Sequence, residues 1–461
     1  MFRDRTYWGT LIKIAVPVTL QNLIMNGLNM IDVMMIGQLG DTAVASVGLA
    51  NEISFVLGLI TFGISSGGSI FAAQYWGKKD IGNLRKVLGL SLAVGVTVST
   101  LFMLFAILFP ETALSIYTRD PAVIQIGAQY LQLIGIFYIP WVITSVYSAI
   151  LRSTENVKLP ILVSIVAISI KTLLNFLLIN GNLGFPALGV RGAAFATMVS
   201  RTLECSSLLV LVYVWKTPAA ATFKELFHLD WPFIKKFFTT TLPVIINETL
   251  WSLGITTYSA VYARIGTEAI AAFTVARTIE QLMFVFFMGI GIACAIMVGN
   301  RIGAGEEKIA YIYSKRSLFT AIIVALVLGI ILVFASSPIL SLYKISDLSK
   351  TYAVRILLIA GFSVWIRAAN MVIFVGILRS GGDTRYGFLT ELFSMYIFGI
   401  PLAFIGALVF HLPVYWVYLL VLSDELVKML IGLRRVFSRR WINNLVLGIT
   451  SPASADLPAG K

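Results

Sequence analysis

Long apolar stretches constrain the fold of this chain more than any other feature of its sequence. A membrane-spanning helix needs about 20 apolar residues, because a hydrocarbon layer of about 30 Å is crossed at about 1.5 Å per residue. Twelve stretches reach that length, at residues 11–36, 44–73, 87–109, 127–150, 160–180, 192–214, 237–262, 270–298, 317–342, 355–377, 386–410 and 413–433. Lipid offers no hydrogen-bond partners to the backbone, so each stretch is predicted to be a helix.

The composition excludes a soluble protein and several kinds of site. Of the 461 residues, 58% are hydrophobic and 12% are charged, whereas soluble domains are about half apolar and about a quarter charged. Cys205 and Cys294 both lie in apolar stretches, which excludes a disulfide scaffold. Two histidines leave almost no material for a His-built metal site, and the sequence has no phosphate loop that would bind ATP. We therefore expect an integral membrane protein that is not an enzyme and needs no cofactor.

The distribution of basic residues predicts the topology. With the N-terminus placed inside, the inner segments hold 24 of the 35 Lys and Arg residues, the outer segments hold six, and five fall within spans. Cytoplasmic loops of membrane proteins carry such an excess, so we expect a multi-pass protein of the cell membrane with both termini in the cytoplasm. Topology then explains the net charge of +13, and we expect no nucleic-acid partner.

An internal repeat at an offset of 226 residues divides the chain into two halves. Pro17 of the first predicted span matches Pro243 of the seventh, and matches continue without a gap over about eighty residues. They include the pairs Gly40 and Gly266, Ala43 and Ala269, and Gly77 and Gly303. Each half contains six predicted spans, an even number, so both halves enter the membrane from the same side.

This duplication predicts the fold class and the domain organisation. The expected fold is an all-α integral membrane protein, with twelve transmembrane helices in two six-helix bundles related by a pseudo-twofold axis along the membrane normal. The predicted division is an N-terminal bundle (1–214), a cytoplasmic linker (215–236), a C-terminal bundle (237–440) and a cytoplasmic tail (441–461). Two facing bundles leave a central cleft that can open alternately to either side as they rock.

Several motifs, together with this architecture, resemble the MATE (multidrug and toxic compound extrusion) family. They lie at 36–40 (IGQLG), 74–77 (QYWG), 189–197 (GVRGAAFAT), 300–303 (NRIG) and 378–384 (LRSGGDT). The resemblance covers about residues 10–440. It implies export of small amphipathic, often cationic organic compounds, driven by inward movement of Na+ or H+, and it places the family's essential carboxylate at Asp32. We expect the bilayer and such substrates as partners, and a monomer.

Polar residues at similar depth predict a cation-coupling site in the first bundle. A charge at the bilayer centre costs about 3 kcal/mol, so each one requires a partner or a function. Asp32 lies about 12 Å below the outer turn of span one, Lys171 and Asn175 lie one turn apart on span five, and Thr197 lies on span six. We predict that Asp32 titrates and that Asn29, Asn175 and Thr197 supply neutral oxygens.

Two alternatives remain open for this site. Asp32 and Lys171 could instead form a structural ion pair that fixes helix packing. If the coupling ion is Na+, Asp32 and Asn175 become metal ligands, but an ammonium beside Asp32 competes with Na+ and favours proton coupling. The sequence leaves both questions undecided.

A second group of polar residues predicts a substrate-binding or coupling site in the second bundle. Glu248 of span seven and Arg367 of span ten lie at equal depth and are predicted partners, either functional or structural. The remaining members are Asn370, Trp251 and Glu391, for the last of which no partner is evident. The resemblance implies acids on spans seven and ten in Na+-coupled members, and span ten has none here, which argues against a Na+ site of that kind.

Two further pairs are predicted to form along single helices. Arg277 and Glu280 are three residues apart, and Asp424 and Lys428 are four apart, so each pair lies on one helix face.

The predicted function is efflux of organic compounds by H+ or Na+ antiport, through alternating access of the two bundles. A lipid-linked-saccharide flippase of the same superfamily is an alternative, but its cavity should carry several cations for pyrophosphate, whereas this one mixes acids and bases. A membrane-embedded lipid-modifying enzyme is a further alternative. Such enzymes need clustered charges in interfacial loops, and the loops here are short.

Overall fold

The fold is all-helical over the residues that the computed structural model describes, which are 4–447 except 342 and 344. The α-helices are α1 (Arg5–Gly37), α2 (Asp41–Gly77), α3 (Ile81–Leu108), α4 (Pro110–Ser115), α5 (Pro121–Gly135), α6 (Tyr138–Ser153), α7 (Lys158–Ile179), α8 (Val190–Val214), α9 (Phe223–Phe227), α10 (Trp231–Ile265), α11 (Thr267–Gly303), α12 (Glu307–Ser341), α13 (Asp347–Asn370), α14 (Thr384–Glu391), α15 (Ile400–Phe404) and α16 (Val414–Phe437). π-Helical segments at Met371–Leu378, Leu392–Gly399 and Ile405–Val409 extend α13, α14 and α15.

Long apolar helices account for most of the predicted spans. Within the described residues, nine helices are long and apolar enough to cross a membrane, and α5 with α6, bent by 50°, makes a tenth. Pro140 lies in the first turn of α6, where a missing backbone N–H is tolerated. The more polar α10 and α16 do not meet the same test, although they are 35 and 24 residues long. Twelve spans are consistent with this architecture, and the number stays a prediction.

The helix boundaries repeat at the offset found in the sequence. Helices α2 and α11 are both 37 residues long, and α11 begins 226 residues after α2, at 267 against 41. The same offset separates the first residues of α1 and α10, of α3 and α12, and of α7 and α14. Gly40 and Gly266, which precede α2 and α11, have φ angles of 95° and 154° that favour glycine. The turn before the second helix of each half therefore retains its glycine.

The described residues form two compact units, and each unit combines segments from different parts of the sequence. The N-terminal unit comprises 20–76 and 80–241, and the C-terminal unit comprises 4–19, 77–79 and 242–447.

Two of the unit boundaries, those inside α1 and α10, lie beside a proline. Helix α1 is divided after Thr19, close to Pro17, and α10 is divided after Thr241, close to Pro243. A proline inside a helix removes one backbone hydrogen bond and disturbs the preceding turn. The predicted domain division at 214, 236 and 440 stays a prediction, and residues 448–461 of the predicted tail lie outside the described residues.

The segment after α8 packs on the N-terminal unit through α3. Gly89 makes this possible, since a Cβ there would lie 1.9 Å from the carbonyl oxygen of Leu226. Arg85 pairs with Glu225 at 2.5 Å, and the backbone N–H of Thr222 donates to the same carboxylate at 2.7 Å. This backbone hydrogen bond, followed by those from the Thr222 hydroxyl and Arg85, holds the pKa of Glu225 below its usual value.

The segment after α16 packs on the C-terminal unit. Trp441 is fully buried, and its carbonyl oxygen would lie 2.0 Å from a Cβ at Gly381. The backbone N–H and Nδ2 of Asn443 donate to the carbonyl of Gly381 at 3.2 and 3.0 Å. These contacts fix the glycines of the 378–384 motif against the end of the described chain.

Candidate cation and substrate sites

Asp32 lies at the wall of a cavity of about 390 Å³ inside the N-terminal unit. This residue is 4% exposed and belongs to α1. The lining residues come from α1, α2, α5, α6, α7 and α8 and from the break between α5 and α6, and they are Asn29, Asp32, Val33, Ile36, Val44, Val47, Gly48, Asn51, Ser54, Tyr130, Ile134, Phe137, Tyr138, Trp141, Lys171, Asn175, Ala193, Thr197 and Arg201. All five residues predicted for the cation-coupling site line this cavity.

The carboxylate of Asp32 is held by three donors on consecutive turns of α7. Lys171 Nζ lies 2.8 Å from Oδ2, Asn175 Nδ2 donates to Oδ1 at 2.8 Å, and Thr172 Oγ1 donates to Oδ1 at 3.2 Å. Asn175 is 1% exposed, and its Oδ1 has no hydrogen-bond partner among the described residues. A buried acceptor oxygen thus lies beside the carboxylate, where a cation can use it.

Two of the residues predicted to supply neutral oxygens form no hydrogen bond with Asp32 in the described part of the chain. Asn29 lines the cavity wall, and Thr197 Oγ1 donates to the carbonyl of Ala193 on its own helix at 3.0 Å. Thr172 was missed, although its position next to Lys171 on a polar stretch of span five was a usable signal. Asp32 is thus contacted by one amine, one amide and one hydroxyl, and the roles predicted for Asn29 and Thr197 stay predictions.

The same cavity combines aromatic rings with a second cation. Tyr130, Tyr138 and Trp141 line it together with Phe137, which lies at the break between α5 and α6. The guanidinium of Arg201 lies 5.2 Å from the centroid of the Trp141 ring. Aromatic faces of this kind attract flat or cationic organic groups.

The charge of Arg201 is balanced by a carboxylate that the sequence analysis did not assign. Glu204 accepts from Arg201 at 2.9 Å and from Ser164 Oγ at 2.7 Å. Glu204 is 6% exposed. The spacing of three residues between Arg201 and Glu204 was the signal that could have identified the pair.

In the C-terminal unit, the predicted pairing of Glu248 with Arg367 is wrong. Arg367 pairs with Glu280 of α11, which also accepts from the Tyr418 hydroxyl at 2.6 Å. Glu248 pairs with Arg379 of the 378–384 motif. Equal depth fixes only the position along the membrane normal, whereas helix rotation decides which neighbour a side chain meets.

The two pairs predicted along single helices are also wrong. Glu280 pairs across to α13 and not with Arg277. Lys428 pairs with Glu391 of α14, which gives Glu391 the partner that the sequence did not reveal. Asp424 instead accepts a hydrogen bond from the Tyr258 hydroxyl at 2.6 Å. Pairs between helices prevail because the side chains point into the packed interior, where a partner on the adjacent helix is within reach.

The remaining predicted members of the second site make contacts of different kinds. Trp251 packs against the hydrophobic core of the C-terminal unit. Asn370 is 4% exposed and donates through Nδ2 to Glu425 Oε2 at 2.6 Å. Glu248 and Glu391 are thus held by ion pairs, Asn370 by a hydrogen bond to Glu425, and Trp251 by apolar packing.

These helices, the duplicated boundaries and the polar cavity define a multi-pass membrane transporter. The family model described as MatE matches residues 17–177 and, 226 residues further on, residues 243–405. The chain belongs to the MatE family. The second match confirms the internal duplication, and membership makes the chain a transporter and not an enzyme.

Individual relatives extend over nearly the whole chain. The chain is 23% identical to the uncharacterized transporter YisQ of Bacillus subtilis, over 95% of this chain and 96% of that protein. It is 24% identical to the probable multidrug resistance protein NorM of Thermotoga maritima, over 95% of this chain and 94% of that protein. A crystal structure of a mutant of the Vibrio cholerae MATE transporter VcmN matches with a TM-score of 0.87 at 17% identity, covering 95% of this chain and 98% of that one. This structural likeness confirms the fold.

Proposed function

We propose that the chain exports small organic compounds and couples their exit to the entry of a proton at Asp32. The observation that carries this proposal is the nearly buried carboxylate of Asp32 at the wall of an aromatic-lined cavity. Similarity to proteins named as probable multidrug resistance proteins supports organic compounds as the substrate class. We also propose that both termini face the cytoplasm and that the protein acts as a monomer.

Competition for one carboxylate supplies the coupling. Ionised Asp32 attracts a cationic or amphipathic substrate in the cavity, and a proton on Asp32 removes that attraction and the ion pair with Lys171. A ligand that binds one charge state better shifts the population toward that state, and the effect is reciprocal. Substrate and proton therefore exclude each other, which is the requirement for antiport.

The neighbour at 2.8 Å favours a proton over Na+. Lys171 Nζ already occupies the position from which a cation would approach Asp32 Oδ2. A sodium ion there would be repelled by the ammonium, whereas a proton adds to a carboxylate oxygen without needing several oxygen ligands. The release of Lys171 also changes the contact between α1 and α7.

Transport by purified protein in proteoliposomes tests this proposal. Vesicles loaded with ethidium are given an inward pH gradient or an inward Na+ gradient separately, and dye efflux is recorded. We expect efflux with the pH gradient, its loss in Asp32→Asn, and normal efflux in the control Glu306→Gln, which alters an ion pair with Arg301 in the C-terminal unit. Efflux by Asp32→Asn equal to that of the wild type would refute the coupling role.

A further inference from the structure

Two acidic side chains of the C-terminal unit lack the ion-pair partners that its other interior acids have. Glu248, Glu280 and Glu391 each pair with an Arg or Lys side chain. Asp424 and Glu425 are consecutive residues of α16. In the part of the chain that the structure describes, neither carboxylate forms an ion pair. Asp424 is buried and Glu425 is half-buried, and two adjacent carboxylates so placed repel each other when both are ionised.

Asp424 is built into a specific buried contact. The Tyr258 hydroxyl donates to its Oδ2 at 2.6 Å, and the side chain is 5% exposed. Gly399 leaves the room for this contact, since a Cβ there would lie 2.1 Å from the Tyr258 hydroxyl oxygen and 2.9 Å from Asp424 Oδ2. Oδ1 of Asp424 is buried and has no hydrogen-bond partner among the described residues.

A second buried acceptor belongs to the same cluster. Asn370 donates through Nδ2 to Glu425 Oε2 at 2.6 Å and to the Glu425 carbonyl at 2.8 Å. Asn370 is 4% exposed, and its Oδ1 has no partner within the described ranges. Two buried oxygens around the Asp424–Glu425 pair thus lack a donor, and unsatisfied buried acceptors are costly.

The other ionisable groups around Asp424 are already engaged. Lys428, one turn further along α16, pairs with Glu391, and Arg367 pairs with Glu280. The titratable and charged groups that surround Asp424 are Tyr258 and Tyr262 of α10, Glu280 of α11, Arg367 of α13, Glu391 of α14, and Tyr418, Glu425 and Lys428 of α16. Among the described residues, the two nearby cations, Lys428 and Arg367, are thus each paired with a carboxylate other than Asp424 or Glu425.

We propose that Asp424, together with Glu425 and Asn370, forms a second proton-binding site, separate from Asp32. A hydronium ion transfers a proton to the free carboxylate oxygen of Asp424; one hydronium O–H bond breaks, water is left, and the carboxylate becomes a carboxylic acid. This step removes one of two adjacent negative charges and supplies the donor that the cluster lacks. The proposal concerns protonation of the C-terminal unit and does not rest on the proposed antiport at Asp32.

Infrared difference spectroscopy of the purified full-length protein tests this site without a substrate. Spectra are compared between mildly acidic and mildly alkaline pH in a potassium buffer, in the carbonyl-stretch region of protonated carboxyl groups. We expect a pH-dependent carboxyl band that is retained in Asp32→Asn and in the control Glu306→Gln and is lost in Asp424→Asn. An unchanged band in Asp424→Asn overturns the proposal, as does an Asp424 band that persists at every pH.

Two further measurements keep the test decisive. If Asp424→Asn does not fold, Tyr258→Phe preserves the ring but removes the donor to Asp424, so the band must shift in frequency; an unshifted band contradicts the assignment. Replacing potassium by sodium must leave the band unchanged, because its loss would identify a Na+ site instead. Ethidium efflux by Asp32→Asn equal to that of the wild type would refute the role of Asp32 and leave these spectra unaffected, so the two proposals fail independently.

Discussion

Removal of the Lys171 charge gives the sharpest stability prediction. Lys171→Gln leaves the Asp32 carboxylate, with a side chain 6% exposed, without the ammonium at 2.8 Å. Removing one partner of a buried ion pair costs about 3–5 kcal/mol. The Lys171 side chain is 23% exposed, and Asp32 keeps its hydrogen bonds from Asn175 and Thr172. We therefore expect the low end of the range, about 3 kcal/mol.

The other two variants complete a double-mutant cycle. Asp32→Asn leaves an ammonium that reaches the cavity, so it should cost only about 1 kcal/mol. The double variant removes both charges and should also cost about 1 kcal/mol, because no unpaired charge remains. The single costs then exceed that of the double variant by about 3 kcal/mol, which is the coupling energy of the pair.

The two cysteines provide a readout for each unit separately. Cys205 belongs to the N-terminal unit and Cys294 to the C-terminal unit, and both are free and buried. A thiol-reactive dye that fluoresces on coupling reports when they become exposed. In a Cys294→Ala background the dye reports only the N-terminal unit. For a domain of about 200 residues, 1 kcal/mol shifts Tm by about 2–4 °C, so Lys171→Gln should lower the Cys205 transition by about 6–12 °C.

Two results would refute the reasoning. A Cys205 transition in Lys171→Gln at the parent temperature means that the ion pair does not stabilise the unit. Ethidium efflux by the double variant, driven by a pH gradient, means that Asp32 serves only as the structural partner of Lys171.

Two further predictions concern other charged contacts. Arg379→Met leaves the Glu248 carboxylate unpaired, so the C-terminal unit should lose about 3–5 kcal/mol of stability. The temperature at which Cys294 reacts with the dye should fall accordingly, and an unchanged temperature would contradict the pairing. The pKa of Glu225 is lower in the folded protein than in the unfolded chain, where it is near 4.5, so the ionised carboxylate stabilises the packed linker at pH values above 4.5. This contribution is lost as pH falls through the folded pKa. Hydrogen exchange of residues 222–230, corrected for the intrinsic rate, should therefore increase below about pH 4.5, and Glu225→Gln should show no such increase.

The first candidate site could be predicted because its residues share helix faces. Lys171 and Asn175 are four residues apart and share one helix face. Their predicted depth in the membrane is similar to that of Asp32, so both were predicted to lie beside it. Thr172 also donates to Asp32, although it lies about 100° around the helix from Lys171. Helix periodicity alone places Thr172 off the face that Lys171 and Asn175 share, so its contact with Asp32 was not predicted.

The pairs of the second bundle could not be predicted in the same way. Glu248 and Arg367 lie on different helices, and depth alone does not define the rotation of either one. Asp424 and Lys428 satisfy the spacing rule for a local pair, yet Lys428 contacts Glu391. A local ion pair on a helix contributes about 0.2–0.5 kcal/mol, so a buried partner on a neighbouring helix prevails.

The sequence alone predicted the helical membrane fold, the duplication and the grouping of Asp32 with Lys171 and Asn175. These predictions follow from apolar length, from position along the chain and from spacing on one helix. Only the tertiary structure decided that Glu248 pairs with Arg379, that a cavity lies beside Asp32, and that Asp424 has no ion-pair partner within the described residues. The physical reason is that helix rotation and lateral packing depend on side chains distant in sequence, and those contacts select the partner of each buried charge.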